Sequence, residues 1–196
     1  GKKSAYLGSV VAGGGTDEHY IGNAKDFRFH KNTQFAALGM INNINEFGFS
    51  PGDYLGFNGG MSNFMSGDFS FNAVPGIVNF GENILGLNTS AAGGLNYTYE
   101  PKKGKRFNVS YTGSGINKDL KQISSSNNYT NNSLFFKYDS LQEYSESENH
   151  QLELNYRVRP DSTQKIIFKG SAGLTQGSSN SAGLTENFTQ NILTNN

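Results

Sequence analysis

Cysteine and tryptophan are both absent from the 196 residues. Without cysteine there is no disulfide scaffold and no thiolate metal site. No run of eighteen apolar residues occurs, which excludes a transmembrane helix. Net charge is missing too: 16 basic side chains balance 16 acidic ones, and this leaves no electrostatic case for a nucleic-acid partner. Apolar residues make up only 35% of the chain, which is thin for a soluble core. A wall that needs apolar side chains only at alternate positions tolerates that content. The mean hydropathy of −0.55 does not argue against a membrane, because barrel strands hide from hydropathy averages. The opening GKKSAYLGS holds no initiator Met, no apolar signal core and no small-residue cleavage site. It reads as the inside of a longer polypeptide.

What the chain does contain is glycine, 25 residues or nearly twice the usual share of ~7%, together with abundant Asn, Ser and Thr. Its length suits one all-β domain or part of something larger. Residues 90–112, SAAGGLNYTYEPKKGKRFNVSYT, separate by parity. Ala91, Gly93, Leu95, Tyr97 and Tyr99 fall on one side, and Ala92, Gly94, Asn96, Thr98 and Glu100 on the other. Phe107, Val109 and Tyr111 then alternate with Arg106, Asn108 and Ser110. Such alternation predicts two β-strands, joined by a basic hairpin turn in which Pro101 stops one strand and Gly104 turns the chain. Tyr97, Tyr99 and Phe107 lie beside that turn on the apolar side. An aromatic-edged apolar strip opposite a polar one suits a strand with lipid outside and water inside. A sandwich hairpin with an apolar core face would alternate in the same way, so the spacing along the whole chain has to decide.

Further strands are expected over 5–12, 19–30, 33–45, 150–159 and 164–174. In the second, Ile21, Phe27 and Phe29 are in phase, with Lys25 interrupting them. In the third the set is Phe35, Ala37, Gly39 and Ile41. The clearest alternation is in HQLELNYRVR: Leu152, Leu154, Tyr156 and Val158 face one way, and Glu153, Asn155, Arg157 and Arg159 the other. Tight turns near residues 31, 103 and 161 alternate with excursions over 46–89, 113–149 and from 176 onward. Short turns at one end and long loops at the other predict an antiparallel up-and-down transmembrane β-barrel segment of about seven strands, with short periplasmic turns and long extracellular loops. Strands of about nine to eleven residues match the hydrocarbon thickness.

Two runs carry a resemblance: MINNINEFGFSPGDYLGFNGGM (residues 40–61) and GLNTSAAGGLNYTYEPKKGKRFNVSY (residues 86–111). Both are similar to the TonB-dependent-receptor-like outer-membrane β-barrel family of Bacteroidota. The opening GKKSAYLGSVVAGGGTDEHY resembles the first barrel strands after that family's plug domain. The resemblance implies the N-terminal third of a large multi-pass barrel of the cell outer membrane. It further implies transport of a substrate and a plug upstream that contacts the TonB system; the alternative reading is a structural or docking subunit of a larger membrane assembly, with other outer-membrane subunits as partners. Neither the plug nor the TonB-contacting segment is among these residues.

Candidate chemistry is sparse. His19, His30 and His150 are far apart, and the adjacent Asp17, Glu18 and His19 cannot all point at one ion. Neither a Ser/His/Asp arrangement nor a phosphate loop has the context it needs. No enzyme activity, cofactor or metal is expected. The binding candidate is the loop 46–89, where Phe49, Tyr54, Phe57, Met61, Phe64 and Met65 are spaced by Gly, Ser and Asn. Adaptable Met and aromatic side chains there suit contact with a partner or an apolar substrate, or packing among themselves and against neighbouring loops and the plug. Arg106, Asn108, Glu153, Asn155, Arg157 and Arg159 are expected to line a lumen or hold a plug.

Overall fold

A computed structural model describes residues 4–46, 51–57, 86–102, 104–130, 133–161 and 163–191. Seven strands follow one another in a single antiparallel sheet, and each pairs with its neighbours in the chain. They are β1 (Ser4–Gly14), β2 (Tyr20–His30), β3 (Thr33–Asn42), β4 (Leu87–Lys102), β5 (Lys105–Thr130), β6 (Ser133–Val158) and β7 (Ile166–Asn191). Among the described residues of the connection between β3 and β4 is a short helix, α1 (Pro51–Phe57). The up-and-down order is thus the one the turn spacing predicts, and the sheet is unclosed, with β1 and β7 at its edges.

Turn chemistry sets one end of the sheet. Gly104 sits at φ 88° between β4 and β5, where a Cβ would come within 3.3 Å of Arg159. Its carbonyl accepts the Arg159 amide at 2.7 Å, so the turns before β5 and after β6 are tied together. In the turn before β7 the Asp161 carboxylate accepts from the Thr163 hydroxyl and amide and from the Gln164 amide, at 2.7 to 2.9 Å.

The sequence expectation fails at the other end. Residues 113–130, 133–149 and 176–191 are strand rather than loop. Residues 114–130 pair continuously with 133–149, and residues 133–149 with 175–191. The backbone ladder needs no apolar side chains, so pairing begun in the apolar halves propagates through Ser- and Asn-rich sequence. Composition suggests a loop there, and cross-strand pairing overrides it. The third strand also stops at Asn42 rather than Asn45, and β4 begins at Leu87, ahead of the alternating stretch.

Face assignment follows the register. Phe27, Ala36, Leu38, Met40, Phe57 and Ala92 form one small apolar cluster, with Phe29 packed against it. It lies on the face covered by α1. Lys25 therefore points towards the helix, and its ammonium meets the Asp53 carboxylate at 2.7 Å. The charge that interrupts the apolar phase of β2 is thus the anchor of α1. On the open face, Asp26 and Arg28 neutralise one another at 2.8 Å.

Candidate functional site

On β2 and β3 the covered face is apolar, but on β4 and β5 the polarity of the two faces is inverted. On β4 the polar set is hidden, with Asn96 3% and Thr98 2% exposed; the apolar set is open, with Leu95 at 53%, Tyr97 at 40% and Tyr99 at 41%. On β5, Ser110, Thr112 and Ser114 are buried while Tyr111 is exposed. A water-soluble sheet is built the other way round, since burying apolar area is what stabilises it.

Register aligns the open face into rows. Tyr99, Phe107, Tyr156 and Phe168 sit opposite one another across four strands, next to the short turns. Further from the turns comes Ala37, Leu95, Tyr111, Leu152 and Ala172, then Gly39, Gly93, Gly113, His150 and Leu174. The next row, Ile41, Ala91, Gly115, Glu148 and Gln176, ends the apolar band. A shallow trough of about 390 Å³ lies at this level, lined in part by Gly93, Gly113, Gly115, Tyr111, Glu148 and His150. Tyr111 leans over Gly113 to share a hydrogen bond of 2.8 Å with His150, and a Cβ on Gly113 would come within 3.1 Å of both. At the sheet edge His30 shares a longer bond, 3.3 Å, with Tyr6.

The covered face carries a polar network. The Asn108 amide donates to Asn96 Oδ1 at 3.0 Å and to Thr98 Oγ1 at 2.9 Å. Arg106 and Arg157 are directly opposite each other on this face, and Asn108 is opposite Asn155. Arg106, Asn108, Glu153, Asn155 and Arg157, expected to face inward, therefore share the covered face, while Arg159 lies past the end of β6 and is exposed.

Of the loop residues proposed from sequence, Phe57 is 1% exposed and belongs to the apolar cluster, against β2, β3 and β4. Its ring fills the space left by Gly94, where a Cβ would be 2.9 Å from Phe57 Cζ. Packing is what this side chain does. The backbone of Tyr54 lies in α1, while Phe49, Met61, Phe64 and Met65 fall outside the described residues.

The role of the NNINE run was not legible beforehand. Asn42 Nδ2 donates to the Glu46 carbonyl at 2.6 Å, and its Oδ1 accepts from the Ile44 and Glu46 amides. Asn43 Oδ1 accepts the Tyr20 amide at 2.7 Å, and its Nδ2 donates to the Glu18 carbonyl at 3.0 Å. Asn45, at φ 59°, donates to the Gly86 carbonyl at 2.6 Å and accepts the Asn88 amide at 2.8 Å. Three asparagines thus clamp the base of the 46–86 excursion to the β1–β2 turn and the start of β4. The signal was a dense Asn cluster at a strand end, since Asn readily bonds nearby backbone and tolerates positive φ.

Compared with known protein families, curated proteins and solved structures, the chain matches none.

Proposed function

We propose that this chain is a section of a TonB-dependent outer-membrane receptor barrel that imports a substrate. In this reading the open face meets lipid and the covered face meets a lumen. A plug outside these residues couples the barrel to the TonB system, and the protein is not an enzyme. The observation that carries the reading is the inverted polarity of β4 and β5, bounded by the aromatic row. On β7 the open face is apolar or glycine from Ile166 to Leu174. That is about 26 Å along a strand, or about 20 Å of height at a tilt of ~40°, close to the ~25 Å apolar band of outer-membrane barrels. An unclosed seven-stranded sheet leaves two edges to be paired, so further strands complete the barrel.

A second reading has support from one feature. Beyond the apolar band, β5, β6 and β7 continue together as far as 130, 133 and 191, exposing Ile123, Tyr129, Leu184 and Phe188. Such a projection suits a docking subunit of a larger membrane assembly. The intact mass of the native polypeptide extracted from the outer membrane tests the lead reading. A plugged barrel of about 22 strands has a mass of roughly 80 kDa or more. A mass near 21 kDa sinks transport, as does a full gene with no plug upstream of Gly1. Loss of a neighbouring subunit on truncating the projection, with uptake intact, favours docking.

A further inference from the structure

Among the described residues, two buried side-chain nitrogens towards the turn end of the covered face, Asn96 Nδ2 and Arg106 Nη2, have no hydrogen-bond partner. Both are donors. A face left with surplus donors is matched by a ligand that brings oxygen acceptors. At the turn end of the same face the donors are joined by charge, because Arg106 and Arg157 occupy directly opposed positions. Opposed like charges on a sheet face are destabilising unless something lies between them. Arg159 continues the phase of Arg157 along the chain, and Lys169 is opposite Asn155 on the neighbouring strand. Glu100 is the carboxylate whose charge acts on Arg106.

We propose that the turn end of the covered face is a phosphoryl-binding site, in which the guanidinium groups of Arg106 and Arg157 grip one phosphate dianion. Paired guanidinium forks fit phosphate oxygens with bidentate geometry, and a phosphate carries close to two negative charges near neutral pH. This face turns away from the apolar band, so the source is a water-soluble phosphoryl group rather than a lipid headgroup. The site rests on the covered face alone and stands whether or not the barrel is a transporter.

The test is calorimetric titration of the full chain, in detergent micelles at pH 8 and constant ionic strength, with inorganic phosphate and separately with acetate. The expected result is one saturable phosphate site, with acetate at least about tenfold weaker. Arg106→Gln and Arg157→Gln should each weaken phosphate by about tenfold or more, the scale of a lost charge-assisted hydrogen bond. Arg28→Gln, on the opposite face, should leave it unchanged. Arg106→Lys retains charge without the fork, and serves where the Gln variant fails to fold; its expected loss is about threefold or more. Absence of saturable phosphate binding overturns the proposal. So does acetate binding as tightly as phosphate, or unchanged affinity in Arg106→Gln or Arg106→Lys.

Discussion

Replacing Leu152 by Arg separates a lipid-facing sheet from a water-facing one. Leu152 is half-exposed on the open face, in the row that lies between the aromatic belt and the polar row at Glu148 and Gln176. In water, therefore, Leu152→Arg should fall within about 0.5 kcal/mol of wild type, as surface substitutions do. Near the middle of a bilayer the same change costs about 2–4 kcal/mol, a factor of roughly 30 to 700 in the unfolding equilibrium at about 1.4 kcal/mol per tenfold. Gln176→Arg is the internal control. It sits at the end of the band on the same face, where the cost in a membrane falls to about 0–1 kcal/mol. The assay is reversible urea unfolding of the full chain in lipid vesicles, followed by tyrosine fluorescence. A difference between the two variants of about 2 kcal/mol or more supports lipid contact. If Leu152→Arg and Gln176→Arg agree within about 0.5 kcal/mol, the open face does not meet lipid at that level and the barrel reading fails.

Other outcomes follow from single contacts. Asn45→Gly retains the left-handed backbone but loses the bonds to Gly86 and Asn88, so it should cost about 1–3 kcal/mol; Asn45→Ala adds strain of about 1 kcal/mol or more. Protease cleavage within residues 46–86 should speed up in both variants, and unchanged cleavage would remove the clamp from the account. Gly94→Ala places a Cβ 2.9 Å from Phe57 and should lose about 1–3 kcal/mol by overpacking. Gly39→Ala meets nothing within 4 Å and should be neutral or gain up to about 1 kcal/mol; the reverse order in urea unfolding would refute the packing of α1 on β4. The hydrogen bonds from Thr163 and Gln164 hold the Asp161 carboxyl below its ordinary pKa. A depressed carboxyl contributes stability above its unfolded-state pKa, and that contribution is lost as pH falls through the folded-state value. Protection of the Thr163 and Gln164 amides, taken relative to the intrinsic exchange rate at each pH, should therefore fall on acidification below the ordinary carboxylate range, and Asp161→Asn should remove that dependence.

Much of the fold was legible because its local rules agree. Alternation placed β4, the start of β5 and the end of β6, and turn residues placed the hairpin at Gly104. The two-faced set Leu95, Tyr97 and Tyr99 against Asn96 and Thr98 could be read directly, since side-chain parity in a strand is a covalent fact. What parity leaves open is which side of the sheet is covered. A sandwich and an inverted sheet share one pattern, and only the packing of α1 onto Ala36, Leu38 and Met40 separates them. The same ambiguity hid the meaning of Lys25, whose partner Asp53 is 28 residues away.

By itself the sequence determined the strand order, the turn ends and the aromatic edge of the apolar strip, all consequences of short-range periodicity and turn chemistry. Only the tertiary structure decided that Ser- and Asn-rich residues 114–130 and 133–149 are strand, because backbone pairing between distant residues outweighs local propensity. It also decided that Phe57 is a packing residue and that Arg106 opposes Arg157. These depend on register, and register depends on the whole sheet.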